Sequence, residues 1–376
     1  MATSAIGPGF LTQTTVFTNQ LLASFGFIIL ISILLDIGAQ LSIWRVLAVS
    51  ELRAQELANK LLPGLGYVLA ALIVLGGFVF NVANSGGSGL GLNVFFGVST
   101  ETGAIISCII AIILFWVKEF GKALDTFSKA LGALMILLTA FIAIKSAPPM
   151  GDVLHRTFIP ETINLVSIVT LVGGTVGGYI SFAGAHRLLD AGIKGQDNLP
   201  QINRSAVSGI VVTGIMRSVL FLAVLGVVVK GVVLDAGNPA ASVFQSGAGE
   251  IGYKIFGLVL WSAAITSIIG CAYTSVSFLR TFHPFIEKKQ RSFITVFIIL
   301  SCVIFLGIGN PVKLLVSAGA INGFILPLSL AVILLASRKK TIVGAYIHPM
   351  WMQITGWIVV ALMSWMSVYV CISFFK

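Results

Sequence analysis

Charge is what this chain is short of. Of its 376 residues 10% are charged, 23 basic and 13 acidic, where soluble proteins carry about 25%. So few charges cannot clothe a water-exposed body of this length, which excludes an ordinary cytosolic enzyme. Cysteine is scarce too. Cys108, Cys271, Cys302 and Cys371 all fall inside apolar stretches without metal-ligand spacing, so they read as small packing residues. Of the four histidines, His155, His283 and His348 lie in connections, and His186 ends an apolar stretch beside Arg187. No basic n-region precedes the first apolar stretch, so no cleavable signal peptide is expected. No phosphate-binding loop is present, so ATP is not the expected energy source, and no cofactor and no covalent chemistry are expected.

What is abundant is apolar: 57% of residues are hydrophobic and the mean hydropathy is +1.04. A helix crossing a bilayer takes about 20 apolar residues. Apolar segments lie at about 1–20, 24–48, 64–84, 101–117, 127–147, 165–189, 206–229, 255–279, 292–309, 314–336 and 350–375. Eleven crossings, with little left for a soluble domain, make the lipid bilayer the natural solvent.

The net charge of +10 is explained by where the cations sit. Alternate connections hold sixteen: Arg45, Arg53 and Lys60; Lys118, Lys122 and Lys129; Arg187, Lys194 and Arg204; Arg280, Lys288, Lys289 and Arg291; Arg338, Lys339 and Lys340. The opposite connections and the C-terminus hold six, and Arg217 lies inside a segment. This asymmetry predicts a multi-pass protein of the cell (inner) membrane with its N-terminus in the cytoplasm. No excess of cations remains to suggest nucleic acid.

Two segments are interrupted. Gly7-Pro8-Gly9 breaks the first, and Gly173-Gly174-Thr175-Val176-Gly177-Gly178 breaks the sixth. Glycine and proline are poor helix residues, and a broken helix at membrane depth survives where protein or a watery cavity satisfies its backbone. The breaks lie about 170 residues apart, each opening a run of five segments of opposite starting side. That is an inverted repeat with paired broken helices, which points to a central substrate site. Close packing between helices is the other use of such glycines. The expected organisation is one transmembrane domain over 1–376: repeat one at about 1–147, repeat two at about 165–336, and a peripheral helix at about 350–375. Only six residues precede the first break, too few to reach the midplane at 1.5 Å per residue, so the first helix is expected to begin about ten residues upstream.

Other stretches fit this reading. Asn81-Val82-Ala83-Asn84-Ser85-Gly86-Gly87-Ser88-Gly89 is too polar for lipid and belongs against a cavity or other helices. Thr266-Ser267-Ile268-Ile269-Gly270-Cys271-Ala272-Tyr273-Thr274-Ser275 is polar on one side. A channel would need a continuous polar path, and no ring of charges is seen; a channel or scaffold does not call for two breaks in register.

The chain resembles the NRAMP divalent-metal transporters, within the group that shares the LeuT fold. Asn81-Val82-Ala83-Asn84 with Gly91-Leu92-Asn93-Val94-Phe95-Phe96-Gly97 is similar to that family's Asp-Leu-Ala-Glu stretch and its Leu-Asn-Leu-Leu-Phe-Gly sequel. Ile255-Phe256-Gly257-Leu258 leading to Ser267-Ile268-Ile269-Gly270 resembles its eighth helix, and Leu326-Pro327 followed by Ser337-Arg338-Lys339-Lys340 the end of its tenth. The resemblance implies an all-α LeuT-type 5+5 inverted-repeat bundle of about eleven transmembrane helices, with helices 1 and 6 broken. It implies a divalent metal cation as cargo, moved by alternating access along an ion gradient.

The departures fall on the ligands. The family's Asp-Pro-Gly-Asn is Gly7-Pro8-Gly9-Phe10 here; its methionine position holds Gly177 and its histidine position Tyr179; its third-helix acids are Asn81 and Asn84. The positions that match family ligands are thus Gly7, Phe10, Gly174 and Gly177. Manganese and iron favour carboxylate, carbonyl and imidazole, so loss of the carboxylate disfavours them, while magnesium could be held through its water. Unpaired N–H groups at a broken helix attract anions instead, and the glycines leave them open. A symporter of a small carboxylate or amino-acid-like solute is therefore the alternative. Candidate substrate-binding residues are Gly7, Pro8, Gly9, Phe10, Gln13, Thr14, Gly174, Thr175, Gly177, Gly178 and Tyr179, within a polar run that continues through Thr15, Thr18, Asn19 and Gln20. Asp36 and Arg217 lie within segments, where charges are rare and functional or paired. With Asn81 and Asn84 they are candidates for coupling or gating by a proton or sodium.

Overall fold

The computed structural model describes residues 7–374, and the side chains of these except at 118–125, 127–129 and 373–374. The helices are α1 (Pro8–Leu21), α2 (Phe25–Ser50), α3 (Ala54–Leu61), α4 (Leu65–Phe96), α5 (Thr100–Trp116), α6 (Lys118–Ser146), α7 (Met150–Phe158), α8 (Leu165–Thr175), α9 (Gly178–Asp190), α10 (Leu199–Val228), α11 (Pro239–Leu279), α12 (Pro284–Lys288), α13 (Gln290–Ile308), α14 (Pro311–Ala336), α15 (Lys340–Val343) and α16 (Met350–Phe374). No strand occurs among the described residues.

By length and composition, eight helical runs of the described residues suffice to cross a membrane. One of them, over 8–50, holds α1 and α2, joined through a 3-10 turn at Leu22–Ser24. A ninth comes from α6 with α7, bent by 109°, and α5 is apolar but shorter. All eleven segments read from hydropathy are therefore helical. Residues 1–6 of the first segment lie outside the described residues, as does the expected earlier start of that helix.

Capping fixes several boundaries. Asn164, Asn238 and Asn310 accept the N–H three residues on at the starts of α8, α11 and α14, as side-chain N-caps do. Gly97 and Gly309 close α4 and α13 with left-handed backbone, the conformation that glycine adopts without a Cβ clash. One feature was invisible in hydropathy. The eighth segment, read as 255–279, is preceded by a further helical stretch from Pro239, and Gly249 at φ +67° turns the chain between them.

Lipid offers apolar side chains no gain on packing, so close approach of helices depends on small residues. The polar end of α4 uses them. A Cβ on Gly91 would stand 2.6 Å from the Trp261 backbone, and one on Gly89 would stand 2.1 Å from the Thr100 carbonyl. That end of α4 is buried between α5 and α11. Outward faces carry Ile105, Ile109 and Ile113 on α5 and Ile354, Ile358 and Trp365 on α16. At the end of the bundle rich in Lys and Arg, Asp190 joins Arg53, Arg280 (3.4 Å) and the Tyr273 hydroxyl (3.3 Å). That cluster ties the start of α3 to the ends of α9 and α11.

Candidate functional site

The helix of the sixth segment ends at Thr175 and restarts at Gly178. Val176 and Gly177 leave helical geometry, and both their N–H groups return to the Val172 carbonyl. The break is thus narrower than the glycine run. Gly173 and Gly174 are helical, and each makes room for a neighbour. A Cβ on Gly173 would meet the Gly319 carbonyl at 1.9 Å, so α8 and α14 touch backbone to backbone. A Cβ on Gly174 would meet Gln13 Oε1 at 2.4 Å. Gly177 folds back on Gly173, and Gly178 faces Asn322 Oδ1.

Across the break lies α1. Gly7 is its N-cap, with Pro8 in the first turn, where a missing N–H costs nothing. Gly7 faces Ser267 of α11, Pro8 packs on Gly87 of α4, and Gly9 neighbours the Leu315 carbonyl and the Phe80 ring. Gln13, fully buried, donates from Nε2 to the Leu315 carbonyl at 2.8 Å, while its Oε1 has no partner. The hydroxyls of Thr14, Thr15 and Thr18 donate to carbonyls one turn back in their own helix, at 2.6–2.9 Å. Their donors are spent on α1 itself. The Thr170 hydroxyl of α8 is also buried without a partner.

Two charges reach this place. Arg217 of α10 is 2% exposed. Its Nη1 donates to the Thr175 hydroxyl at 3.0 Å, and its guanidinium lies over the Phe10 ring at 4.6 Å. Its Nε and Nη2 have no partner. Asp36 of α2, 1% exposed, reaches the same Thr175 hydroxyl and feels the Arg217 charge, with one carboxylate oxygen unpartnered. The two meet through the last residue of α8 rather than as a direct ion pair.

A cleft opens from Thr175 between α9, α10 and α11, lined by Tyr179, Ala183 and Arg187, by Gly209 and Thr213, and by Thr266, Ser267 and Thr274. No acidic residue lines it, and its charged lining residue is Arg187, exposed toward the basic end of the bundle. Tyr179, at the family's histidine position, enters a neutral chain. Asn84 Nδ2 donates to Cys271 Sγ at 3.6 Å, and that thiol bonds the Tyr179 hydroxyl at 2.7 Å. Asn81 Nδ2 donates to the Ser301 hydroxyl at 3.2 Å, leaving its Oδ1 without a partner.

Asn322 of α14 carries no motif or spacing that singles it out in the sequence. Its Oδ1 accepts the Tyr179 N–H at 3.3 Å, and its Nδ2 donates to the Gly76 and Ala318 carbonyls, both at 3.0 Å. It therefore takes up one of the backbone donors that a broken helix leaves free. Among the described residues no three His, Cys, Asp or Glu side chains converge as a metal cluster would. The four positions that match family ligands face Ser267, Arg217, Gln13 and Gly173. What the arrangement offers is one buried cation with two free N–H donors, one buried carboxylate oxygen, and the free oxygens of Gln13 and Thr170.

A family model described as natural resistance-associated macrophage protein-like matches residues 1–373. The chain is 60% identical over 369 residues to the uncharacterized membrane protein YcsG of Bacillus subtilis, covering 98% of this chain and 91% of that protein. It is 20% identical over 294 residues to the divalent metal cation transporter MntH of Klebsiella pneumoniae, covering 73% of this chain and 68% of that one. In fold it is similar to the manganese transporter of Eremococcus coleocola, solved with an aromatic bis-isothiourea compound. The TM-score is 0.70 at 16% identity, covering 98% of this chain and 84% of that one.

Proposed function

We propose, from the premise that this chain belongs to the natural resistance-associated macrophage protein-like family, that it moves a divalent metal cation by alternating access, driven by an ion gradient. As a member of that family it is a multi-pass membrane transporter with the LeuT-type fold, and not an enzyme. The observation that carries the carrier reading is the break at Val176–Gly177, whose flanking residues Thr175 and Tyr179 line a cleft between α2, α9, α10 and α11. The metal reading draws on kinship, the Klebsiella pneumoniae relative being a divalent metal cation transporter by name.

The site itself sets the form such a cation would take. With no carboxylate at Gly7 and no thioether at Gly177, a bare ion is left with the neutral oxygens of Gln13 and Thr170 and with one Asp36 oxygen whose charge is already offset by Arg217. A dication that parts reluctantly with its water, as magnesium does, fits this better than manganese or iron. A second reading is favoured by Arg217, whose two unpartnered N–H groups at the break suit the carboxylate of a small organic acid or amino-acid-like solute.

Purified protein in liposomes separates the two. On the metal reading, Gly7→Asp with Phe10→Asn raises manganese uptake, by about tenfold for a regained ligand pair worth 1.4 kcal/mol. On the carboxylate reading, Gly7→Asp abolishes uptake of a carboxylate probe by repulsion and Arg217→Ala weakens it. Counterflow faster than net flux marks a carrier, and its absence for every probe sinks both readings.

A further inference from the structure

Asp36 and Arg217 are the charged side chains buried at the break, and neither is fully satisfied. Each reaches the Thr175 hydroxyl, from α2 and from α10 respectively. The Thr175 hydroxyl has one proton, shared between the Leu171 carbonyl at 2.8 Å and the Asp36 carboxylate, while its oxygen accepts from Arg217. One Asp36 oxygen and two Arg217 nitrogens are left over. A pair built only to pin two helices would be satisfied atom for atom, because a buried charge with free valences is costly. This pair sits instead on the last helical residue before the break, with valences to spare.

We propose that Asp36, Thr175 and Arg217 form the coupling centre of the carrier, with Asp36 the group that takes up and gives back a proton. It rests on the reading of this protein as a gradient-driven carrier. While Asp36 is ionised, its charge balances Arg217 across the shared hydroxyl. When a proton binds to the free Asp36 oxygen, the carboxyl becomes neutral and Arg217 is left as a buried cation without a counter-charge. It then needs an anion from the cleft. The same step, run backwards, leaves the centre balanced and expels that anion. The sign of the linkage follows: an anionic cargo travels with the proton, whereas a cationic cargo competes with it.

The surroundings make Asp36 the group to examine. Among the described residues, the charge that bears on Asp36 is Arg217 of α10, and its hydrogen-bonding neighbour is Thr175 of α8. The chain of Tyr179, Cys271 and Asn84 is made of a phenol, a thiol and an amide bonded to one another. At the far end of α9, His186 takes the Ala54 N–H on Nε2 and contacts the Ser277 hydroxyl through Nδ1, with Arg53 and Arg280 nearby. It is the one histidine on the cleft-lining helix, and it needs its own control.

The test requires no knowledge of the cargo. An environment-sensitive fluorophore with pH-independent emission is attached to Ala183→Cys, in the cleft lining, with the exposed Cys371 changed to Ser and the protein in lipid nanodiscs. Its emission is titrated from about pH 4.5 to 8.5, a range that spans neutral pH on both sides. The expected result is one transition, abolished by Asp36→Asn, retained in His186→Asn, and moved by about one pH unit, a tenfold change in proton affinity, in Asp36→Glu and Thr175→Val. Should Asp36→Asn fail to give monodisperse protein, the Asp36→Glu shift decides alone. A flat titration of the parent, a transition surviving Asp36→Asn, or an unmoved midpoint in Asp36→Glu overturns the proposal. Those failures leave counterflow intact, whereas loss of counterflow removes the carrier reading itself.

Discussion

His348 lies in the connection between α15 and α16. Its Nδ1 stands 3.0 Å from the Tyr346 hydroxyl, which also accepts from Arg45 Nε at 2.9 Å, and its Nε2 is buried without a partner. Burial, with the Arg45 cation second, holds this imidazole down to about 4, against about 6.5 in an unfolded chain. Between those values the unfolded chain binds the extra proton, so stability rises with pH from about 4 to 6.5 and is flat above. The loss toward acid amounts to about 3 kcal/mol at 1.36 per unit. Thermal unfolding in detergent at pH 4.5 and 7 is expected to show this gap, and His348→Gln to remove most of it. Nothing in the sequence marked His348 as more than a loop residue, since Arg45, which fixes its neighbour Tyr346, comes from 301 residues away. Asn322 was hidden in the same way. A lone amide in an apolar helix carries no signal until Tyr179 and Gly76, 143 and 246 residues away, are brought to it. Asp36 and Arg217 were legible because a charge inside an apolar segment has to be accounted for.

Among the elements, the sixth segment was the best read and the most instructive. Its interruption follows from glycine content, but composition could not say which glycines unwind and which only make room. Val176 and Gly177 do the first, and Gly173 does the second by letting α8 touch α14. Gly173→Ala is therefore expected to cost about 1–3 kcal/mol, as overpacking does, seen as a lower thermal midpoint in detergent. Gly307 of α13 has open space where a Cβ would go. Gly307→Ala is expected to be neutral or to gain up to about 0.5–1 kcal/mol, the usual margin of alanine over glycine in a helix. Equal effects at both positions would contradict the packing account. The bend in α11 has no sequence signal of its own, because Gly249 is one of three glycines between Ser246 and Tyr253 and composition does not say which of them turns the chain. Only its left-handed φ gives it away.

At the scale of the whole molecule, the inverted repeat was readable because lipid leaves few solutions: helices long enough to span, and breaks only where protein encloses them. The proposed cargo site was not, because its side chains come together only in the fold, from α1, α2, α8 and α10. Orientation can be checked directly. The cleft opens beside Arg187, at the end where cations cluster. A membrane-impermeant thiol reagent at fixed pH is expected to label Ala183→Cys, on a Cys371→Ser background, in inside-out vesicles and not in right-side-out ones. The opposite result would invert the topology. The Asn322 clasp also constrains how such a molecule can move. One carboxamide fastens α9 to α14 and α14 to α4, while Gly173 beds α8 on Gly319 and Gly323 of that same α14. Both arms of the split helix thus lean on a common post. Pro327 stands in that post and denies the Gly323 carbonyl its usual helical donor. A swing of either arm must drag the post or tear loose from it, so the cheapest joint lies one helix away from the break itself.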